Sequence, residues 1–134
     1  MNRNDFFGDA VYVYTRAQAI DDGLLVDVTE TSSEAGFKIP VAVTQAVWEK
    51  YISWTDKDTD KQSYQNESGR LWDVIWMLRM AANRSRIENT TFYQLYVIPR
   101  DGRSRKPAKV RLKAVIHEGD HGEAVITVML PSED

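Results

Sequence analysis

The chain has 134 residues, no cysteine, a formal net charge of −3 and a 43% hydrophobic fraction. The missing cysteines exclude disulfide scaffolds, zinc–thiolate sites and cysteine nucleophiles, and the apolar content excludes a disordered chain. The charge is polarised, with 12 acidic and 6 basic residues in Met1–Ser68 and 8 acidic and 11 basic in Gly69–Asp134.

The opening segment MNRNDFFGDA has no apolar run, so a soluble cytoplasmic protein is expected, with one domain over residues 1–134. Thr15 and Gln18 have the spacing of a capping box, and Gly23 supplies a left-handed stop, which predicts a short helix between them. LLVDV, Leu24 to Val28, is short and β-branched and reads as a strand. A second capped turn is expected over Thr31 to Gly36. In FKIPVAVTQAVWEKYISW, Pro40 keeps the entry extended and Thr44 is the expected N-cap of a helix reaching about Trp54.

SGRLWDVIWMLRMAAN places Leu71, Val74, Ile75 and Leu78 on one helical face, with Trp72, Trp76 and Met80 on an adjoining stripe. That helix should be central, with Trp72 and Trp76 in the core. If the helix from Thr44 packs across the Trp72 helix, Trp48 would lie exposed as part of a partner-binding patch.

From Thr91 the period becomes two in TFYQLYVI, AKVRLKAVIH and EAVITVML, which predicts three antiparallel strands. Val110, Leu112, Ala114 and Ile116 alternate with Arg111, Lys113 and His117, so one sheet face should be buried and the other partly wet. Helices followed by strands give an α+β class, with N-terminal helices packed on a C-terminal three-stranded antiparallel sheet. Residues 131–134 read as a frayed tail.

The blocks YTRAQAIDDGLLVDVTETSSEAGFKIPVAVTQAVW, SGRLWDVIWML and YVIPRDGRSRKPAKVRLKAVIHEGDHGEAVITVMLP resemble a family of small uncharacterised proteins encoded on bacterial plasmids, phages and integrative elements. The resemblance implies an accessory protein of a mobile element and assigns no reaction, cofactor or catalytic residue.

Three stretches have chemistry to weigh. DKDTDKQSYQNE carries acids at places one, three, five and twelve of an EF-hand loop, with Asp56, Asp58 and Asp60 as carboxylate ligands, Gln62 as a carbonyl ligand and Glu67 as the bidentate ligand for calcium. Against this, Lys61 stands where glycine makes the turn, at a cost of roughly 1–2 kcal/mol in a left-handed conformation. The alternative is that Asp58 or Asp60 caps the Trp-rich helix. His117 and His121 flank Glu118 and Asp120, but Gly119 and Gly122 break any helix, so a polar turn is favoured over a metal pair or a hydrolytic site.

RDGRSRKPAKVRLK carries Arg100, Arg103, Arg105, Lys106, Lys109, Arg111 and Lys113 against one acid, Asp101. Such cations can neutralise phosphates, and Tyr93 and Tyr96 could stack on bases. The alternative is a solvated connection whose aliphatic stems cover the sheet. With no phosphate loop, nucleophile elbow or dinucleotide fingerprint, the expectation is a non-enzymatic binding protein. Its partner would be nucleic acid at the basic hairpin or a host protein at the acidic half.

Overall fold

In a computed structural model of the chain, residues 14–84 and 89–134 are described, so the readings made on MNRNDFFGDA lie outside the described residues. Helix α1, Arg16–Asp21, begins with the predicted capping box: the Thr15 hydroxyl accepts the Gln18 N–H at 3.0 Å, and Gln18 Oε1 accepts the Thr15 N–H at 2.8 Å. Gly23, at φ +81°, turns the chain into strand β1, Leu25–Asp27. Helix α2 spans Thr29–Glu34, two residues earlier than the expected turn at Thr31, and its N-cap residue Val28 offers no side-chain cap.

Strand β2, Val41–Thr44, was not anticipated as a strand. The Thr44 hydroxyl caps helix α3, Gln45–Val47, by accepting the Val47 N–H at 3.3 Å. That helix widens into a π turn over Trp48–Ile52 and ends there, short of Trp54. Helix α4, Asp56–Lys61, and helix α5, Glu67–Arg84, follow. Strands β3, Thr90–Val97, β4, Ala108–Glu118, and β5, Ala124–Met129, complete the fold.

The α+β class holds, but the sheet is five-stranded and mixed, in the order β1-β2-β5-β4-β3. The expected antiparallel trio β3, β4 and β5 forms only part of it. Strand β2 joins β5 in parallel, Ala42 opposite Thr127, and β1 closes the far side antiparallel to β2. The sequence pattern misses the wider sheet because β2, four residues long and running straight into a helix cap, has no period of its own, and without it β1 has no partner.

One face of the sheet carries the main core. Val41, Val43, Leu95, Leu112, Ile126 and Val128 pack there against Val74, Ile75 and Leu78 of α5. Tyr93 belongs to this face: it is buried and donates its hydroxyl to the Val74 carbonyl at 2.9 Å, so burial pushes its phenol pKa up and its ring is unavailable for stacking. Trp72 is partly buried, whereas Trp76 is 38% exposed and stacks on it at 5.6 Å, so the pair rims the core and does not fill it. Trp48 is half-buried and packs against the core, not at an open surface.

The opposite face differs from end to end. Under β1, β2 and β5 it is closed: Ala42, Val125, Thr127 and Met129 are all buried. Arg16 reaches in from α1 to donate to the Thr127 hydroxyl at 2.8 Å and the Ile126 carbonyl at 2.9 Å. Asp120 accepts the N–H groups of Arg16 and Ala17, which holds its carboxyl below the usual range. The expected frayed tail is docked on this side, with Glu133 accepting from the Thr44 hydroxyl and the Leu130 N–H at 2.8 Å each. No described helix is long and apolar enough to cross a membrane.

Candidate nucleic-acid interface

The acidic stretch is helical where calcium would need a wrapping loop. Thr55 caps α4 through a box with Asp58, whose carboxylate accepts the Thr55 N–H at 2.8 Å. Asp58 also pairs with the Arg100 guanidinium at 2.8 Å. Desolvation raises the Asp58 pKa, but the Thr55 and Arg100 contacts outweigh it and leave the carboxyl below its ordinary value. Gln62, the expected carbonyl ligand, is the C-cap residue of α4, and Glu67 already opens α5. Asp56, Asp58, Asp60, Gln62 and Glu67 are thus not arranged as a ligand shell, and no group of three or more His, Asp or Glu suited to a metal occurs among the described residues. Nor do Asp58 and Asp60 cap the Trp-rich helix. Asn66 does so, accepting the Gly69 N–H at 2.8 Å.

What the acidic stretch does is hold the basic hairpin. The Gln62 amide donates to the carbonyls of Pro99 at 2.7 Å and Ser104 at 2.6 Å, and accepts the Gly102 N–H at 3.0 Å. Within the hairpin, Asp101 accepts from the Ser104 hydroxyl and from the N–H groups of Ser104 and Arg103, which lowers its pKa from 3.8 to about 2. Beneath, Arg70 is 3% exposed, donates to the carbonyls of Ile52 at 3.1 Å and Ile98 at 2.9 Å, and lies over the Trp54 ring. Burial lowers its pKa, yet a guanidinium keeps its charge at neutral pH. The hairpin root is therefore fixed through side-chain bonds to its backbone, and its own cations are left outside.

The seven predicted cations divide by what they touch. Arg100 is taken by Asp58, and Lys113 donates to the Glu133 carbonyl of the tail. Arg103, Arg105, Lys106 and Lys109 are exposed and make no side-chain hydrogen bond or ion pair among the described residues. Arg111 lies over the Phe92 ring, 4.2 Å from its centroid.

The register brings these groups into a strip on the open end of the second face. Phe92 pairs with Lys113, Gln94 with Arg111 and Tyr96 with Lys109. Because side chains alternate along a strand, all six point to the side away from α5. Phe92 is 44% exposed and Tyr96 65%, and their separation of four residues is about 13 Å at the rise of a β-strand. The hairpin tip extends the same strip at the Tyr96 end. An open cleft of about 460 Å³ runs beside it, lined by Phe92, Tyr96, Lys109, Arg111 and, from α5, Met77 and Met80.

Phe92 is the residue that sequence reasoning missed. Tyr93 shares its parity with Leu95 and Val97, both buried, whereas Phe92 and Tyr96 share theirs with Gln94. The phase of the alternation thus marked Phe92 as outward.

The histidines are parts of the closed end. His117 Nε2 lies 2.8 Å from the Thr127 hydroxyl and its Nδ1 3.0 Å from the Glu118 carbonyl. The Glu118 carbonyl can only accept, so Nδ1 carries the proton that meets it, and the Nε2–Thr127 contact beside the Arg16 bond ties β4, β5 and α1 together. His121 sits in the turn, with its N–H on Glu123.

The chain belongs to a family of unknown function, DUF6573, whose model matches residues 1–134. No curated protein and no solved structure matches it.

Proposed function

We propose that this is a non-enzymatic protein that holds single-stranded nucleic acid across the open face of β3 and β4. The observation that carries the reading is the strip itself: two exposed aromatic rings on one sheet face, interleaved with Lys109 and Arg111 and continued by Arg103, Arg105 and Lys106. Exposed rings offer stacking surfaces that every base can use, and cations alongside them track the phosphates. The guanidinium plane of Arg111, backed by Phe92, adds a third platform. A duplex would bury its bases from these rings, so single strands fit better. The resemblance to proteins of plasmids, phages and integrative elements supports reading it as an accessory protein of a mobile element.

A host-protein contact through the acidic half has less support, because Asp58 is spent on its cap and on Arg100. The reading is tested by fluorescence anisotropy with labelled single-stranded DNA, RNA and duplex DNA at two salt concentrations. Single strands should bind best, with a log–log salt slope of about −0.7 per phosphate contact, or roughly −3 for four free cations. Lys109→Glu should weaken binding, and absence of any salt-dependent binding by the wild type rejects the reading.

A further inference from the structure

The two edges of the sheet are guarded very differently. Strand β1 is three residues long and carries an exposed Asp27, so its edge is short and charged. Strand β3, TTFYQLYV, is eight residues long and contains no charge, proline or glycine. Its register with β4 runs unbroken from Thr90 opposite Val115 to Val97 opposite Ala108, so there is no bulge. Unpaired N–H and C=O groups along such an edge recruit another strand, and proteins that must avoid this place charges, prolines or bulges there. None of those devices is present on β3.

The direction of the free groups follows from the ladder. Ile116 donates its N–H to the Asn89 carbonyl, which fixes the odd-numbered residues of β3 as those bonded to β4. Thr90, Phe92, Gln94 and Tyr96 therefore turn their backbone groups outward.

We propose that two copies of this chain join antiparallel through β3, with a two-fold axis at Gln94, to make one continuous sheet. This setting places Phe92 opposite Tyr96 of the second copy and Gln94 opposite its own counterpart. Axes at the neighbouring residues, Tyr93 or Leu95, would set a ring against Gln94 instead. Only the axis at Gln94 gives ring on ring and amide on amide, the self-complementarity that an isologous contact requires. On the helix side, Met77 and Met80 line the cleft along this edge and supply an apolar wall to meet the same wall of the second copy. Lys109 and Arg111 sit one strand back, so the cations of the two copies stay three strand spacings, about 14 Å, apart. That exceeds the screening length of about 8 Å at physiological salt. The join uses backbone groups at the edge, closes the cleft from the helix side, and would double the strip of Phe92, Tyr96, Lys109 and Arg111 on the second face.

The test is sedimentation velocity of the full chain. The wild type is expected at twice its 15.4 kDa mass, and Gln94→Pro and Tyr96→Lys at the monomer mass with unchanged circular dichroism and melting. Proline is tolerated where an edge N–H faces outward, so the first variant should fold. In this cysteine-free chain, Gln94→Cys should be cross-linked by a short bismaleimide, and Ser33→Cys, exposed on α2, should not. A monomeric wild type across the micromolar range overturns the proposal. So does a dimer that survives both edge variants, cross-linking at Ser33→Cys as strong as at Gln94→Cys, or a monomer that instead recruits an extended acidic peptide to β3.

Discussion

The second face of the sheet is built in two ways along its width. At the β1-β2-β5 end, polar side chains reach across the face: Arg16 and His117 meet on Thr127, and Glu133 binds Thr44 and Leu130. At the β3–β4 end the polar anchors lie behind the hairpin, where Gln62 and Arg70 bond to backbone carbonyls and leave Phe92 and Tyr96 uncovered. The same device, a polar side chain holding backbone, closes one end and pre-sets the other. The anchors at both ends should govern stability, and the uncovered positions of the open end should govern binding.

The largest expected effect is at the anchor behind the hairpin. Arg70→Met strands the Ile52 and Ile98 carbonyls in the interior, and with unsatisfied buried acceptors costing about 1–3 kcal/mol each, a loss of about 3 kcal/mol is expected in urea unfolding. Next comes Thr127→Val, which leaves Arg16 and His117 without their shared hydroxyl; about 2 kcal/mol of stability should go while oligonucleotide affinity stays unchanged. An affinity change as large as that at Tyr96 would erase the distinction between the two ends. Tyr96→Ala should do the reverse, with stability within about 0.5 kcal/mol of wild type and binding weakened by roughly 1–3 kcal/mol, or about five- to 150-fold, in anisotropy titrations.

The smallest effect is on acid sensitivity. Asp101 has a folded pKa of about 2 against an ordinary 3.8, so its contribution to the hairpin is fully present above the higher value and is lost as pH falls through the lower one. Amide shifts of Arg103 and Ser104 should therefore titrate with a midpoint near pH 2 in the wild type and stay flat there in Asp101→Asn.

Much of this was legible locally. The Thr15 capping box, α5, and the alternation in β3 and β4 all rest on spacings within one element. The parallel pairing of β2 with β5 was not, because Val41 and Ile126 are far apart in sequence and nothing in a four-residue strand names its partner. The role of Gln62 was hidden for a related reason: acids at loop-like spacing suggested an ion, whereas the residues bonded to the Gln62 side chain lie in the later hairpin. Lys113 reads as a free cation within its segment, and the carbonyl that occupies it lies in the distant tail. Sequence placed the cations in one segment, and only the register showed which of them share a face with exposed rings.

The most direct measurement of the binding face is amide chemical-shift mapping during titration with a single-stranded oligonucleotide. Changes are predicted to cluster on Phe92, Gln94, Tyr96, Lys109, Arg111 and the hairpin from Arg103 to Lys106, while Thr127, His117 and α1 stay still. Saturable changes confined to the closed end, or none at all, would contradict the account.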